Sequence, residues 1–234
     1  MSAAPPARAA AALSALRATA RGGAVCFDVD STVIDCEAID ALAEAAGAGA
    51  AVAALTRAAM GGSMPFREAL AARLALIAPS SALLARFSAA HAFRLTPGVA
   101  PLIAALRARG AAVFLVSGGF TQMIHPLADV LAVPRERVFA NTILFDEAGA
   151  YAGFDTAAPT SRDGGKPEVL RALKARGFDP IVMIGDGVTD MQARPPADAF
   201  IGYGGVVERQ PVVDGACLFV RDFEVLLKAL EEGG

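Results

Sequence analysis

Histidine and cysteine are scarce in this chain: its 234 residues include two histidines, His91 and His125, and three cysteines, Cys26, Cys36 and Cys217. With no H-E-x-x-H and no G-x-S-x-G pattern, zinc and serine hydrolases are poorly supported. Each histidine reads instead as a capped or solvated helix residue. The scattered cysteines include no C-x-x-C pair, so neither a disulfide framework nor a zinc ribbon is indicated, a usage that fits a reducing compartment. Runs of Lys or Arg are also missing. The 21 basic and 24 acidic side chains leave a net charge of -3, which argues against nucleic acid and for a small-molecule partner. A bilayer span needs roughly 20 consecutive apolar residues. The longest stretch free of Asp, Glu, Lys and Arg, Gly110 to Ala128, contains Ser117, Gly118, Gly119, Thr121, Gln122, His125 and Pro126, so no membrane partner is expected.

What is abundant is alanine. Hydrophobic residues make up 55% of the chain and 54 residues are alanine, which lifts the mean hydropathy to +0.48 without supplying much buried area. The first 25 residues hold Arg8, Arg17 and Arg21 and no acid, a composition similar to a transit peptide. Helical spacing of Leu13, Leu16 and Ala20 over 9–20 reads as an ordinary helix leading into the first strand. The expectation is therefore a cytoplasmic protein, with a plastid location as the alternative. The oligomeric state is not legible, and a homodimer is one admissible assembly.

Short apolar runs ending on polar residues recur at Ala24–Asp28, Ala111–Val116 and Ile181–Gly185, with further strand-like runs at Ala197–Gly202 and Cys217–Val220. They alternate with helical stretches at Pro101–Arg109, Thr121–Leu131 and Lys166–Arg176, the last closed by Gly177. The pattern predicts an α/β fold, a Rossmann-like parallel sheet with helices on both faces. Ligands bind at the carboxyl ends of the strands in such sheets, where Asp28, Ser117 and Asp186 fall. Residues 36–92 contain no strand-like run and read as an inserted small helical bundle, broken at Gly47-Ala48-Gly49, Gly61-Gly62 and Pro79. Thr142–Phe154 alternates as a β-hairpin does. The expected division is a discontinuous core, 1–35 with 93–234, and a cap, 36–92.

Asp28 and Asp30 stand two residues apart just beyond a buried strand. Facing the same way, they would repel by about 4 kcal/mol at 4 Å and an effective dielectric of 20. A divalent cation or a proton on one acid would offset this; a solvated acidic turn is the plainer alternative. Asp186 and Asp190 form a second cluster at another strand end, flanked by Gly185 and Gly187. Magnesium takes one or two carboxylates with water and substrate oxygens, and Asp28, Asp30 and Asp186 fit that description. Ser117 with the amides of Gly118 and Gly119 makes a strand-end loop of donors suited to phosphate, or simply a turn. Lys166, after Gly164-Gly165 and before Pro167, has no P-loop pattern around it and taken alone reads as a solvated lysine.

The order of these parts, an acid pair, a Ser-Gly loop, a lysine and a second acid cluster at successive strand-to-helix junctions, resembles the haloacid dehalogenase superfamily of aspartate-nucleophile phosphatases. Denser matches extend the resemblance over roughly residues 24–230: Asp28-Val-Asp-Ser-Thr-Val-Ile, Ala59-Met-Gly-Gly, Arg73-Leu-Ala-Leu-Ile, Leu115-Val-Ser-Gly-Gly-Phe and Tyr151-Ala-Gly-Phe-Asp. Pro167 and Asp35-Cys36 depart from the pattern beside the site. The resemblance implies a Mg2+-dependent hydrolysis of O-phosphoserine, the last step of serine biosynthesis, through an aspartyl phosphate. In that scheme Asp28 is nucleophile, Asp30 general acid and base, and Lys166 withdraws charge from the phosphoryl group. The metal would be held by Asp28, Asp186 and the Asp30 carbonyl, with Asp190 orienting from behind. Ser117, Gly118, Gly119 and Thr189 would hold phosphoryl or substrate oxygens.

Specificity is expected to come from the insert. The helix from Pro65 carries Phe66, Ala69, Leu70, Arg73, Leu74 and Ile77 on one stripe, and an arginine among apolar neighbours needs an anion or must snorkel. The resemblance makes Arg73 the partner of the substrate carboxylate and Glu37 the partner of its ammonium, with Met60, Gly61 and Phe66 as the rim that excludes water when the cap closes. Arg209 is a weaker candidate for a cap-closing pair. The competing readings are a phosphatase of the same superfamily acting on another small phosphomonoester, and a phospho-accepting signalling module.

Overall fold

A computed structural model describes residues 6–59, 64–90 and 93–232. Its centre is a parallel sheet of β1 (Ala24–Phe27), β2 (Ala112–Phe120), β3 (Val138–Asn141), β6 (Ile181–Gly185), β7 (Ala199–Tyr203) and β8 (Leu218–Val220), ordered β3-β2-β1-β6-β7-β8. A separate antiparallel hairpin pairs β4 (Ile143–Phe145) with β5 (Tyr151–Phe154) around a turn in which Gly149 takes φ +78°.

The strands are continuous apolar runs because both faces of the sheet are covered, and their period of two divides the side chains cleanly. Val25, Phe27, Val113, Leu115, Val182, Ile184 and Ile201 enter one core. Cys26, Phe114, Val116, Met183 and Phe200 enter the other. The first face is covered by α1 (Pro6–Ala18), α6 (Val99–Ala108), α7 (Thr121–Val130) and α11 (Glu224–Glu231), and the second by α8 (Gly165–Ala175) with α9 (Val188–Met191) and α10 (Gln210–Gly215). The acid-free N-terminus is thus partly built into the fold, with Ala12 and Leu16 of α1 buried against the sheet.

Between β1 and α6 lie α2 (Ala38–Ala45), α3 (Gly49–Ala59), α4 (Phe66–Ile77) and α5 (Ser81–Ala90), which pack α2 on α3, α3 on α4 and α2 on α5. The α4 helix buries Ala69, Leu70, Leu74 and Ile77 on one side. It stops at Ala78, in the left-handed region at φ +42°, one residue before Pro79. The chain leaves the sheet through 29–36 and returns through 93–96, and the two passages are tied by an Ile34–Leu95 bridge and an Asp35–Arg94 ion pair.

One local expectation is corrected. Ser117-Gly118-Gly119 is not a loop: β2 runs extended through Phe120, with its register on β3 slipping between Val116 and Phe120. Two small glycines let the strand continue where larger residues would strike Phe66 or crowd Asp30, as the site geometry below makes plain. Among the described residues no single helix is long and apolar enough to cross a membrane.

Candidate active site

The carboxyl ends of β1, β2 and β6 open into a cavity of about 680 Å³. Asp28, Asp30, Glu37, Phe66, Arg73, Gly118, Gly119, Lys166, Asp186, Thr189 and Arg209 all line it, so nearly every described residue singled out above converges on one place. Ser117 does not line it. It is 1% exposed, and its Oγ accepts from the Gly119 amide at 2.9 Å. That amide is therefore engaged within the strand rather than offered to a ligand, which corrects the expectation of a row of free donors. Met60 and Gly61 lie outside the described residues.

Asp28 is buried at the tip of β1, where its Oδ1 accepts from the Val29 amide at 2.7 Å and from Lys166 Nζ at 2.8 Å. Lys166 is brought there by the first turn of α8 and is itself buried, with Asp190 Oδ1 at 2.6 Å. Burial alone would favour the neutral amine. Asp190 and Asp28 together outweigh it and hold the ammonium above its ordinary range. Asp190 has its other oxygen, Oδ2, on the Gly187 amide at 3.0 Å, and burial together with the charge of Asp28 pushes its carboxyl well up. A Cβ at Gly185 would sit 2.3 Å from Asp190 Cγ, so glycine is required there for Asp190 to reach the lysine.

The Asp28–Asp30 repulsion anticipated from the sequence is resolved by giving the two carboxylates different surroundings. Asp30 turns to the Ala38 amide, which donates to Oδ1 at 2.8 Å. Burial, then the nearby Glu37 carboxylate, raises its pKa to about 8. Asp28 keeps the lysine, whereas Asp30 is disposed to hold a proton. A Cβ on Gly119 would stand 3.1 Å from Asp30 Oδ2, and one on Gly118 would stand 2.9 Å from the Phe66 ring. These two glycines let Asp30 and Phe66 close on the strand from opposite sides.

The far side of the cavity is supplied by the insert. Glu37 takes a hydrogen bond from Ser31 Oγ at 2.8 Å, and burial raises its pKa. Arg73 is half-buried, its Nε donating to the Ala69 carbonyl at 3.2 Å, and no carboxylate among the described residues pairs with it. Burial lowers its pKa, a tendency opposed by Asp40, Glu37 and Asp30 at longer range. Arg209 is more central than the sequence suggested: it contacts Asp186 Oδ2 at 3.0 Å and Glu37 Oε1 at 3.7 Å.

Sequence reasoning missed two residues that dock α4 onto the sheet side. The Phe66 amide donates to Asp163 Oδ2 at 3.1 Å, and Arg67 Nη2 reaches the Thr156 carbonyl at 3.0 Å and Ser161 Oγ at 3.2 Å. The available signals were an arginine directly behind the helix-opening Pro65-Phe66 and an aspartate just ahead of Gly164-Gly165-Lys166.

Carboxylate oxygens of Asp28, Asp186 and Asp190 lie within 4.8 Å of one another and are all buried. Three clustered acids with only hard oxygen donors suit a divalent cation. An aspartate beside a lysine, a second carboxylate inclined to carry a proton, and a cation seat together define a site for phosphoryl transfer.

A family model described as haloacid dehalogenase-like hydrolase matches residues 23–198. The chain belongs to that family. Among curated relatives it is 53% identical to the phosphoserine phosphatase of Mus musculus over 210 residues, covering 89% of this chain and 93% of the mouse protein. It is 50% identical to the chloroplastic phosphoserine phosphatase of Arabidopsis thaliana, over 89% of this chain and 72% of that one. A solved phosphoserine phosphohydrolase-like protein from Francisella tularensis superposes with a TM-score of 0.77 at 28% identity, covering 89% of this chain and 99% of the other.

Proposed function

We propose that this protein hydrolyses O-phosphoserine to serine and phosphate through an aspartyl phosphate on Asp28. One observation carries the reading: a single cavity brings the Asp28–Lys166 pair together with a carboxylate, Glu37, and an arginine, Arg73, that has no carboxylate partner among the described residues. A phosphate monoester bearing an ammonium and a carboxylate would satisfy all of these groups. The similarity to phosphoserine phosphatases over most of the chain supports the same substrate.

In this mechanism Asp28 attacks phosphorus and the bond from phosphorus to the serine oxygen breaks. Asp30, whose raised pKa lets it hold a proton near neutrality, gives that proton to the departing oxygen. It then removes a proton from the water that attacks the aspartyl phosphate, releasing phosphate and restoring Asp28. Lys166, fixed as an ammonium by Asp28 and Asp190, lowers the repulsion between the carboxylate and the phosphoryl oxygens. Asp28, Asp186 and the backbone carbonyl of Asp30 would hold a divalent cation, Mg2+ by the hardness of the donor set. When bound, that cation supplies further charge withdrawal from the phosphoryl group. Asp190 keeps Lys166 and the Gly187 turn in place. Gly118 and Thr189, which line the cavity, hold phosphoryl or substrate oxygens, while Ser117 keeps the Gly119 amide engaged behind them.

Residues 36–92 act as a cap over the core formed by 1–35 and 93–234, and Phe66 seals the cavity against Gly118. Arg73 forks the substrate carboxylate and Glu37 takes the ammonium. Arg209, which bridges Glu37 and Asp186 across the junction, contributes to closure. The serine-forming reaction and the absence of any basic run favour the cytoplasm without nucleic-acid or membrane partners. The plastid stays open as the alternative location, and a homodimer as the assembly to test.

The deciding experiment is phosphate release from phosphoserine, phosphothreonine and a simple sugar phosphate, with and without Mg2+. The expected result is multiple turnovers that require Mg2+, with kcat/KM for phosphoserine at least tenfold above the other two. Equal efficiency on the sugar phosphate would remove the substrate assignment.

A further inference from the structure

Asp186 has both carboxylate oxygens engaged by this chain, and from opposite directions. Arg209 holds Oδ2 from the cavity. From the interior, Thr32 Oγ1 donates to Oδ1 at 3.1 Å, across 154 residues of sequence. Thr32 is fully buried, and its own carbonyl accepts from Thr96 Oγ1 at 2.6 Å, Thr96 being 2% exposed. The Thr96 amide donates to the Val33 carbonyl at 2.9 Å. Thr32 belongs to the passage by which the chain leaves the sheet for the helical insert, and Thr96 to the passage by which it returns. Two consecutive hydroxyl bonds therefore run from the return passage, through the outgoing one, to the Asp186 carboxylate.

A threonine hydroxyl has one hydrogen to give. Thr32 gives it to Asp186, and Thr96 gives its own to the Thr32 carbonyl, with the Val33 carbonyl a longer second acceptor at 3.4 Å, so removing either hydroxyl leaves a buried acceptor short. If Thr32 merely filled space, a valine of nearly the same shape would serve equally well.

We propose that Thr32 and Thr96 are positioning residues that set the Asp186 carboxylate for a divalent cation and couple cation affinity to the junction between the insert and the sheet. The inference rests on the reading of Asp186 as a metal ligand. Hydrogen-bonding partners behind a metal ligand commonly change affinity by about 10- to 100-fold when removed. The bond here goes to the proposed ligand carboxylate directly for Thr32 and at one remove for Thr96. The expected order of effects is therefore Thr32 first and Thr96 second.

The test is calorimetric titration of the full chain with Mn2+ alone, in the absence of substrate, on Thr32→Val, Thr32→Ser, Thr96→Val and Asp186→Asn. Metal-free melting curves serve to confirm that each variant is folded. Thr32→Val is expected to weaken Mn2+ binding about tenfold, Thr32→Ser to stay within about twofold of the parent, and Thr96→Val to weaken binding about threefold. At saturating metal, kcat of Thr32→Val should recover most of the parental value, which a role in general packing would not predict. Parental Mn2+ affinity in Thr32→Val, with binding lost in Asp186→Asn, overturns the inference while leaving the metal seat intact. Parental affinity in Asp186→Asn removes the underlying assignment of that ligand instead. Should Thr32→Val not fold, Thr96→Val decides: unchanged Mn2+ affinity there overturns the coupling.

Discussion

Asp28 and Asp186 follow strands covered from both faces of the sheet, whereas Phe66 and Arg73 stand on a helix that packs mainly against α3. The strands β1 and β6 are buried at every position. The α4 helix reaches the sheet side through Phe66 against Gly118, Arg67 against Thr156 and Ser161, and the Phe66 amide against Asp163. On the proposed mechanism the reacting groups are placed at the ends of buried strands, and the groups that read the substrate on the inserted helices. The two regions should consequently fail in different ways when altered, the sheet losing rate or stability and the insert losing affinity.

The largest effect is expected at the tip of β1. Asp28→Asn should lower phosphate release by about 10⁴-fold or more with an unchanged circular dichroism spectrum; turnover close to the parent would end its assignment as nucleophile. Arg73→Ala should raise KM for phosphoserine by about 10- to 100-fold, the value of a charged hydrogen-bonded pair, with a smaller change in kcat. Steady-state kinetics on a phosphate ester lacking the carboxylate sharpen this, since an equal loss there would show that Arg73 does not read that group. Gly185→Ala probes the rigidity of the sheet itself. The added methyl must displace Asp190, an overpacking worth about 1–3 kcal/mol, so melting should fall by roughly 3–10 °C and activity should fall with it. Smallest is Arg67→Ala, which removes two half-exposed bonds to the sheet side. A rise in KM of a few-fold, with Tm within about 2 °C of the parent, would fit a loosely attached insert. A large loss of stability would instead make the insert as integral as the strands.

Strand ends were readable because each buried parallel strand is an unbroken apolar run that stops at a polar residue. The sequence alone therefore places Asp28 and Asp186 at one edge of a sheet. The Ser117-Gly118-Gly119 segment was misjudged as a loop because glycine and serine usually mark turns. Here the same small side chains keep the strand extended while Phe66 and Asp30 press on it. Arg209 was legible as a weaker candidate for a cap-closing pair, without its partners. Its place between Glu37 and Asp186 depends on β7 lying beside β6 and on the connection to α10 turning back over the cavity.

By itself the sequence determined most of the strands and helices and the chemical inventory, since apolar periodicity, glycine positions and the spacing of acids are local properties of the chain; the edge strand β3 and the extension of β2 through Phe120 were not legible. Only the tertiary structure decided which groups share a charge, which share a proton and which are tied by a hydroxyl: Asp28 with Lys166, Asp30 beside Glu37, Asp186 with Thr32 and Arg209. The physical reason is that electrostatic and hydrogen-bonding interactions act over a few ångströms. Strand order, not sequence separation, sets those distances, and residues 154 positions apart meet because β1 and β6 are neighbours in the sheet.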